Sequence, residues 1–416
     1  MLFGSSGIRR RFDLDLIRIA LQTGSALGSR GNNLILGTDT RTTNNIISSA
    51  FISGFLSSGG NVETAGIVPT PVVAYASRYA AAGCMVTASH NPEEYNGMKL
   101  FNPDGSSFTK IQQESLSRKI EISNWSDWAS QGELSSFDSI TPFTKSVQEK
   151  VHISHELKVV LDCGCGAGST VSPGLLSDLG VTPVCLNCHP GGHFARPSEP
   201  VESNLQFIPG MMNTTGAKVA VVHDGDADRM MAFDEKCRYI NGDLLLMLFT
   251  SYLGAKKVVT TVDASMAIEE MTEVRRTPVG DSFVSEELLS WGEFGGEPSG
   301  AWIFPKQSYC PDGPYAAALF CEIASEWNIA DTLDTMPHYP ILRESVSRPD
   351  SREILLAIGA ENPTNGIRLS SEDGWCLVRA SGTEPKIRFT AEGRTLRKAK
   401  EMLEHGQDLV RKGKTA

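Results

Sequence analysis

At 416 residues the chain exceeds what one hydrophobic core organises, so several domains are expected. A 40% hydrophobic and 21% charged composition is that of an ordinary soluble protein. The formal net charge of −11 repels nucleic acid and membrane surfaces, so an anionic ligand must be held by local basic clusters.

The N-terminal Gly4-Ser5-Ser6-Gly7-Ile8-Arg9 lacks the apolar stretch of a signal peptide. The strongest apolar run, around Leu244 to Phe249, falls far short of the roughly 20 residues that cross a bilayer. A cytoplasmic chain without a transmembrane helix is expected. Asn33-Leu34-Ile35-Leu36-Gly37-Thr38-Asp39 opens a first strand-turn-helix unit. Further on, the apolar Cys84-Met85-Val86 runs into Thr87-Ala88-Ser89-His90-Asn91-Pro92. This places the Ser89 hydroxyl at the carboxyl end of a strand, the edge where open α/β sheets collect their sites. A free serine is a poor nucleophile, whereas a phosphoserine is a phosphoryl donor that needs only electrostatic help. His90 and Lys99 lie near enough in sequence to supply a proton acceptor and a positive charge. Alone, the segment reads better as an Asn-Pro turn with a capping serine, and only the company of the other segments reverses that.

A polar, Ser-rich span from Ser123 to Ser146 separates the first unit from a second, opened by Leu157-Lys158-Val159-Val160-Leu161-Asp162. Cys185-Leu186-Asn187-Cys188-His189 has the spacing of a c-type haem attachment, with His193 near as a conceivable zinc ligand. Haem attachment of that kind belongs to exported proteins, and no second Cys pair follows. The nine cysteines read as reduced thiols, several, such as Cys84 and Cys376, at strand positions. Val219-Ala220-Val221-Val222 reads as a buried strand leading into Asp224-Gly225-Asp226-Ala227-Asp228-Arg229. Asp224, Asp226 and Asp228 alternate at period two, so an extended backbone would project all three carboxylates to one side. Like charges that close need a cation, and hard oxygen ligands suit Mg²⁺. An EF-hand loop starting at Asp224 would have Arg229 where glycine is required, between flanks that read as strands. A phosphatase-type aspartyl acceptor would leave the other polar segments without a role.

A third unit opens at Lys257-Val258-Val259-Thr260-Thr261-Val262-Asp263. It leads to Gly295-Gly296-Glu297-Pro298-Ser299-Gly300, a loop whose Glu297 and Ser299 can bond vicinal sugar hydroxyls and whose neighbour Trp302 offers an apolar face. A junction near Asn328 to Tyr339 leads into a last segment. There Arg379-Ala380-Ser381-Gly382-Thr383-Glu384-Pro385-Lys386-Ile387-Arg388 combines two arginines, two hydroxyls and glycine-exposed N–H groups, a nest suited to a dianionic phosphate. A helical tail follows, with Leu396, Ala399, Leu403 and Val410 on one face. The recurring rhythm of apolar strand and small-residue turn carrying Asp suggests a loose internal repeat of α/β units.

Ser89-His90-Asn91-Pro92 followed by Tyr95-Asn96-Gly97-Met98-Lys99, together with the three-aspartate segment, resembles the α-D-phosphohexomutase superfamily of phosphoglucomutase, phosphomannomutase and phosphoglucosamine mutase. The likeness runs from Gly7-Ile8-Arg9 to the Arg379 loop, with the motifs in the family's order. It implies an α/β fold of four domains around a central cleft, three similar α/β units with mixed sheets plus a smaller α+β C-terminal domain. On this chain the units would be 1–145, 146–250, 251–335 and 336–416. The resemblance also implies that Ser89 carries the phosphoryl group and completes a site for one Mg²⁺ with Asp224, Asp226 and Asp228. Arg9, His90, Lys99 and Arg229 would surround the transferring group, with Lys99 or His90 as general acid/base. Glu297 and Ser299 would hold sugar hydroxyls, while Arg379, Ser381, Gly382, Thr383 and Arg388 grip the phosphate that is not reacting.

The activity so implied passes a phosphoryl group between the 6- and 1-positions of a hexose phosphate through a bisphosphate, with hexose 1,6-bisphosphate as priming activator. The compact length and the Gly-Gly-Glu-x-Ser-Gly loop look most like the phosphoglucosamine branch, with phosphomannomutase, phosphoglucomutase or a noncatalytic phosphosugar binder as alternatives. The partner is a small-molecule hexose phosphate, not nucleic acid or membrane, and the enzyme would be a monomer or homodimer. The chain departs from many relatives at Ala301, where they carry His, and at Arg10, where glycine is common.

Overall fold

The computed structural model of the protein describes residues 2–4, 7–120, 125–381 and 385–413. Among these residues no helix is long and apolar enough to cross a membrane. The first sheet has six strands, β1 (Ile8–Arg11), β2 (Asn33–Thr38), β3 (Asn61–Ile67), β4 (Ala82–Val86), β5 (Tyr95–Phe101) and β6 (Leu134–Ser136), in the order β1-β5-β4-β2-β3-β6. β2 runs parallel to β3 and β4, and β5 returns antiparallel to β4. Helices cover both faces of such strands, so β2 and β4 are near-continuous apolar runs without alternation.

The second sheet contains β7 (Leu157–Asp162), β8 (Val181–Leu186), β9 (Val219–His223), β10 (Met230–Phe233) and β11 (Tyr239–Ile240), in the order β11-β10-β9-β7-β8. The third contains β12 (Lys257–Thr261), β13 (Glu273–Thr277), β14 (Phe294–Glu297) and β15 (Ala301–Ile303), in the order β13-β12-β14-β15. Both repeat the first plan: a central strand between two parallel neighbours, one of which turns back into an antiparallel strand. The repeat read in the sequence is therefore a repeat of topology. A fourth sheet, β16 (Ile341–Ser347), β17 (Ile367–Ser371), β18 (Gly374–Ala380) and β19 (Lys386–Gly393), is wholly antiparallel in the order β16-β19-β18-β17. The tail helix Leu396–Gly413 lies on β18 and β19 and buries Ala399, Met402, Leu403 and Val410, while Leu396 at its first turn stays exposed.

This plan explains where the polar segments lie. Residues 87–94, 224–229, 298–300 and 381–385 are each the connection between two adjacent antiparallel strands, β4–β5, β9–β10, β14–β15 and β18–β19. One core runs through parts of the first three units, including Phe143, Leu161, Phe249, Trp302 and Phe320. The fourth unit has its own core around Val378 and Phe389. It meets the third through a polar joint. Buried Glu392 accepts from the Ser265 hydroxyl, from Met266 N at 2.8 Å and from Trp375 Nε1 at 2.6 Å. The helix Gly242–Leu253 packs beneath β14, and the helix Gly313–Glu326 lies against β7, β9, β10 and β15.

Asp312 caps that second helix through Tyr315 N at 2.9 Å, yet its buried Oδ2 has no hydrogen-bond partner among the described residues. Burial pushes its carboxyl up to about 7, against 3.8 when free. Between those values the unfolded chain releases a proton that the folded chain keeps, so this group makes stability fall as pH rises from about 4 to about 7. Asp312→Asn keeps the cap and removes the titration. Its melting temperature should exceed that of the wild type by about 3 °C or more at pH 8 and match it at pH 4, as read by calorimetry.

Candidate active site

Beyond β4 the chain enters the left-handed region at Ser89, with φ 51°. For a residue with a side chain that conformation costs about 1–2 kcal/mol and persists only where the surroundings enforce it. Arg41 supplies the enforcement. Its five guanidinium N–H groups go to Asp39 Oδ2 and to the carbonyls of Ser89, Asn91, Pro92 and Tyr95, at 2.6 to 3.1 Å. Thr87 Oγ1 donates to Asp39 Oδ2 at 2.6 Å and accepts Ser89 N at 2.8 Å. The Ser89 hydroxyl is thereby aimed at Asp224 Oδ2, 3.1 Å away, with His90 Nδ1 at 3.4 Å.

Asp224, Asp226 and Asp228 do converge, with one oxygen of each lying within 4.8 Å of the others. The cause differs from the alternation expected. β9 ends at His223, and the aspartates sit in a turn in which Ala227 takes φ 54°. A tight turn gathers alternate side chains inward where an extended strand would space them along one face. All three are buried. Burial and the neighbouring carboxylates hold Asp224 well above the usual range, and burial followed by Asp226 pushes Asp228 up to about 6 despite Lys99 and Arg229. Asp226 Oδ2 accepts the Thr70 hydroxyl at 2.5 Å, whereas Asp226 Oδ1 and Asp228 Oδ1 are buried without hydrogen-bond partners among the described residues. Two unpartnered carboxylate oxygens in an all-oxygen cluster fit a hard divalent cation.

The other expected residues surround the same space. Arg9, Ser89 and His90 from the first unit, Asp228 and Arg229 from the second, Glu297 and Ser299 from the third, and Arg379 and Arg388 from the fourth line one cavity of about 320 Å³. Lys99 lies behind it, with Nζ 2.5 Å from Asp281 Oδ2 and 3.7 Å from Asp228 Oδ2. Burial alone would lower its ammonium, but Asp281 and Asp228 outweigh burial and keep it protonated. The opposite holds for His90. The Arg229 charge first, then burial and Arg9, push its imidazole down to about 2, so it is neutral. Glu297 accepts Gly280 N at 2.8 Å and lies 3.5 Å from Ser299 Oγ, and burial pushes its carboxyl up to about 7. Arg379 and Arg388 are cross-strand neighbours on β18 and β19, and both line the cavity. Ser381 follows β18 with its N–H bonded to Lys386 O at 2.9 Å, and Gly382 and Thr383 lie outside the described residues. Trp302 offers the ligand nothing. It is fully buried, with Nε1 on Met230 O at 2.8 Å and its ring against Phe249, because β15 turns it into the core.

Residues 1–125, 137–238, 241–339 and 346–405 match, in turn, the three alpha/beta/alpha domains and the C-terminal domain described as phosphoglucomutase/phosphomannomutase. The chain belongs to the phosphoglucomutase/phosphomannomutase family. It is 42% identical over 413 residues to a probable phosphoglucosamine mutase of Methanosarcina barkeri, covering 94% of this chain and 95% of that one. With the phosphoglucosamine mutase of Methanocaldococcus jannaschii it shares 39% identity over 446 aligned positions, 100% of this chain and 99% of the other. In fold it resembles a phosphoglucomutase/phosphomannomutase family protein of Burkholderia thailandensis, with a TM-score of 0.86, 23% identity and coverage of 99% and 97%. It also resembles Aspergillus fumigatus N-acetylphosphoglucosamine mutase in complex with GlcNAc-6P and magnesium, with a TM-score of 0.63, 16% identity and coverage of 99% and 96%.

Three site residues escaped the sequence reading. Arg41 and Thr70 act through contacts with residues far along the chain, which no local pattern announces. Asp281 had a legible signal, since Gly280-Asp281 opens the helix Asp281–Leu288, but its partner Lys99 is 182 positions away. If the carboxylates form the cation site, calorimetry should show one Mg²⁺ bound per chain at pH 7.5, with Asp226→Asn weakening it at least about tenfold. Since Asp224 and Asp228 are held high, protonation competes with the cation, and affinity should drop between pH 7 and pH 5. Replacing Arg41 by Lys leaves one charge but removes the fork. The variant should stay folded by circular dichroism while cleavage by a glutamate-specific protease at Glu93 or Glu94 accelerates by roughly tenfold or more.

Proposed function

We propose that this family member is a phosphohexomutase that interconverts glucosamine 6-phosphate and glucosamine 1-phosphate. The observation that carries the reading is one cavity lined both by Ser89 and Asp228, a member of the carboxylate trio, and by Arg379 and Arg388. A hexose phosphate laid between them presents its free hydroxyl to a phosphorylated Ser89 while the arginines hold its existing phosphate. The P–O bond to Ser89 breaks as the P–O bond to the sugar forms, giving the 1,6-bisphosphate. The hydroxyl proton passes to His90, whose basicity rises when the phosphoryl dianion on Ser89 offsets the Arg229 and Arg9 charges, and the Lys99 ammonium adds positive charge beside Asp228. The bisphosphate then turns end for end, and the other phosphoryl group returns to Ser89.

Arg9 and Arg229 surround the transferring group with positive charge. Glu297 and Ser299 orient the sugar hydroxyls. Asp224, Asp226 and Asp228, with an oxygen of the Ser89 phosphate, would hold one Mg²⁺, which when bound supplies positive charge beside the migrating phosphoryl group. The enzyme would be primed by hexose 1,6-bisphosphate and would work in the cytoplasm as a monomer or homodimer. The glucosamine assignment is supported by the relatives named phosphoglucosamine mutase and by Asp263 and Glu297, whose carboxylates give an amino sugar's ammonium acidic neighbours. Mannose and glucose phosphates are the competing substrates.

Phosphorus NMR with Mg²⁺, a trace of hexose 1,6-bisphosphate and the 6-phosphates of glucosamine, mannose and glucose in parallel tubes tests the reading. The fastest appearance of a 1-phosphate signal is expected with glucosamine, and comparable rates with all three would defeat that assignment. Ser89→Ala should lower turnover by about four orders of magnitude or more while leaving sugar-phosphate affinity within about threefold. A mutant that turns over like the wild type would remove Ser89 from the mechanism.

A further inference from the structure

Two sulfur atoms that the mutase chemistry leaves unused meet beneath the carboxylate loop. β7 and β8 pair in parallel register as far as Asp162 and Leu186, and the chain continues past both with Cys163 N bonded to Leu186 O at 3.2 Å. That geometry brings Cys188 Sγ to 3.3 Å from Cys163 Sγ. Cys163 is fully buried, Cys188 is partly open, and the neighbouring Cys185, whose thiol contacts Cys188, is exposed. A row of three thiols thus runs from the surface to the interior. The haem-like spacing of Cys185, Cys188 and His189 has a different meaning in the fold. Cys188 turns inward to Cys163, and His189 Nε2 lies 3.6 Å from Cys165 Sγ. Among the described residues the only cluster suited to a metal is the carboxylate trio. Contact with Cys163 also makes Cys188 the more acidic thiol of the pair, whereas burial raises Cys163.

The segment that carries Cys163 touches the carboxylate loop directly. Ala167 N donates to Gly225 O at 2.8 Å, and a Cβ added to Gly166 would meet Gly225 O at 2.5 Å. Asp162, next to Cys163, holds Arg196 Nε at 2.6 Å, and Arg196 Nη2 donates to His223 O at 2.6 Å, one residue before Asp224. Any shift of residues 162–167 is therefore felt on both sides of Asp224.

We propose that Cys163 and Cys188 form a reversible disulfide, installed by a low-molecular-weight disulfide, that slows the enzyme by displacing the carboxylate loop. The Cys188 thiolate attacks one sulfur of the external disulfide, forming a mixed disulfide and expelling one thiolate. Cys163 then loses its proton and attacks the Cys188 sulfur, expelling the second thiolate. The two cysteines are oxidised by two electrons, and the external disulfide leaves as two thiols. Closing the contact from 3.3 Å to the bonded distance of about 2.05 Å draws the end of β7 toward β8 and pulls on the Gly225 and His223 contacts.

The inference rests on the mutase reading only for its activity readout. The reduced full-length protein is treated with glutathione disulfide, its remaining thiols are alkylated, and its peptides are mapped by mass. The expected result is a Cys163–Cys188 linked peptide, a loss of turnover of roughly tenfold on the scale of outer-shell changes at metal sites, and recovery with dithiothreitol. Cys188→Ala should match the reduced wild type in turnover and be indifferent to glutathione disulfide. Alkylated Cys163 with glutathione on Cys185 or Cys188 alone would overturn the proposal, as would a linked protein of undiminished turnover. Should the reduced protein process none of the hexose phosphates, the mutase reading fails by itself. The disulfide is then still judged by the peptide map and by Mg²⁺ affinity, which must fall on oxidation and otherwise sinks the coupling.

Discussion

Three carboxylates buried within 4.8 Å of one another form an arrangement that no single unit of this chain can sustain. Removing them from water costs several kcal/mol per charge, and their mutual repulsion adds to it. The second unit supplies the aspartates, but the groups that meet them come largely from the first. The Thr70 hydroxyl is on Asp226, the Ser89 hydroxyl is on Asp224, and the Lys99 ammonium is near Asp228. Assembly of the first two units and formation of the site are thus one event, and the apolar core they share beneath the loops supplies the adhesion.

The repeated topology turns this into a site with two ends. A hairpin that starts from a buried strand delivers its connection to the same edge of every sheet, so three copies of one plan bring three chemically different loops to one cavity. The fourth unit is built differently, with an all-antiparallel sheet whose paired arginines face the cavity. It keeps a separate core and meets the third unit through the buried Glu392 rather than a large apolar surface. A polar joint permits relative motion more readily than an interdigitated apolar one. Such a joint is compatible with the proposed role of this unit, in which it holds one phosphate, releases it as the bisphosphate turns and holds the other.

Much of this was legible in the sequence where chemistry is local. Ser89 beside His90, the alternating aspartates, and the arginines that bracket Ser381 are each short segments whose composition implies their partner. The boundaries of regular structure were harder, as at Asp224–Asp228, where a turn produces the convergence that an extended strand was expected to give. Least legible were residues that act at a distance in sequence. Arg41 stands in no motif, and its role emerges only when the loop it braces is folded over it, while Trp302 reads as an apolar face for a sugar until β15 commits it to the core. Local pattern reports which groups a segment owns, and only packing decides which of them reach the cavity.

The protonation states of Lys99 and His90 show how far that decision extends. Both bases lie in the same buried region, yet Arg229 keeps one neutral and Asp281 helps to keep the other charged. Arg229 belongs to the second unit and Asp281 to the third, whereas both bases belong to the first. The pair of environments that separates a neutral imidazole from a charged ammonium exists only when the three units are in register. Were the third unit drawn away, Lys99 would lose its strongest anionic neighbour and gain water, and the difference between the two bases would narrow. The chemical competence of the first unit is therefore conditional on contacts made by the others, which explains why a loop of so few residues is embedded in so large a chain.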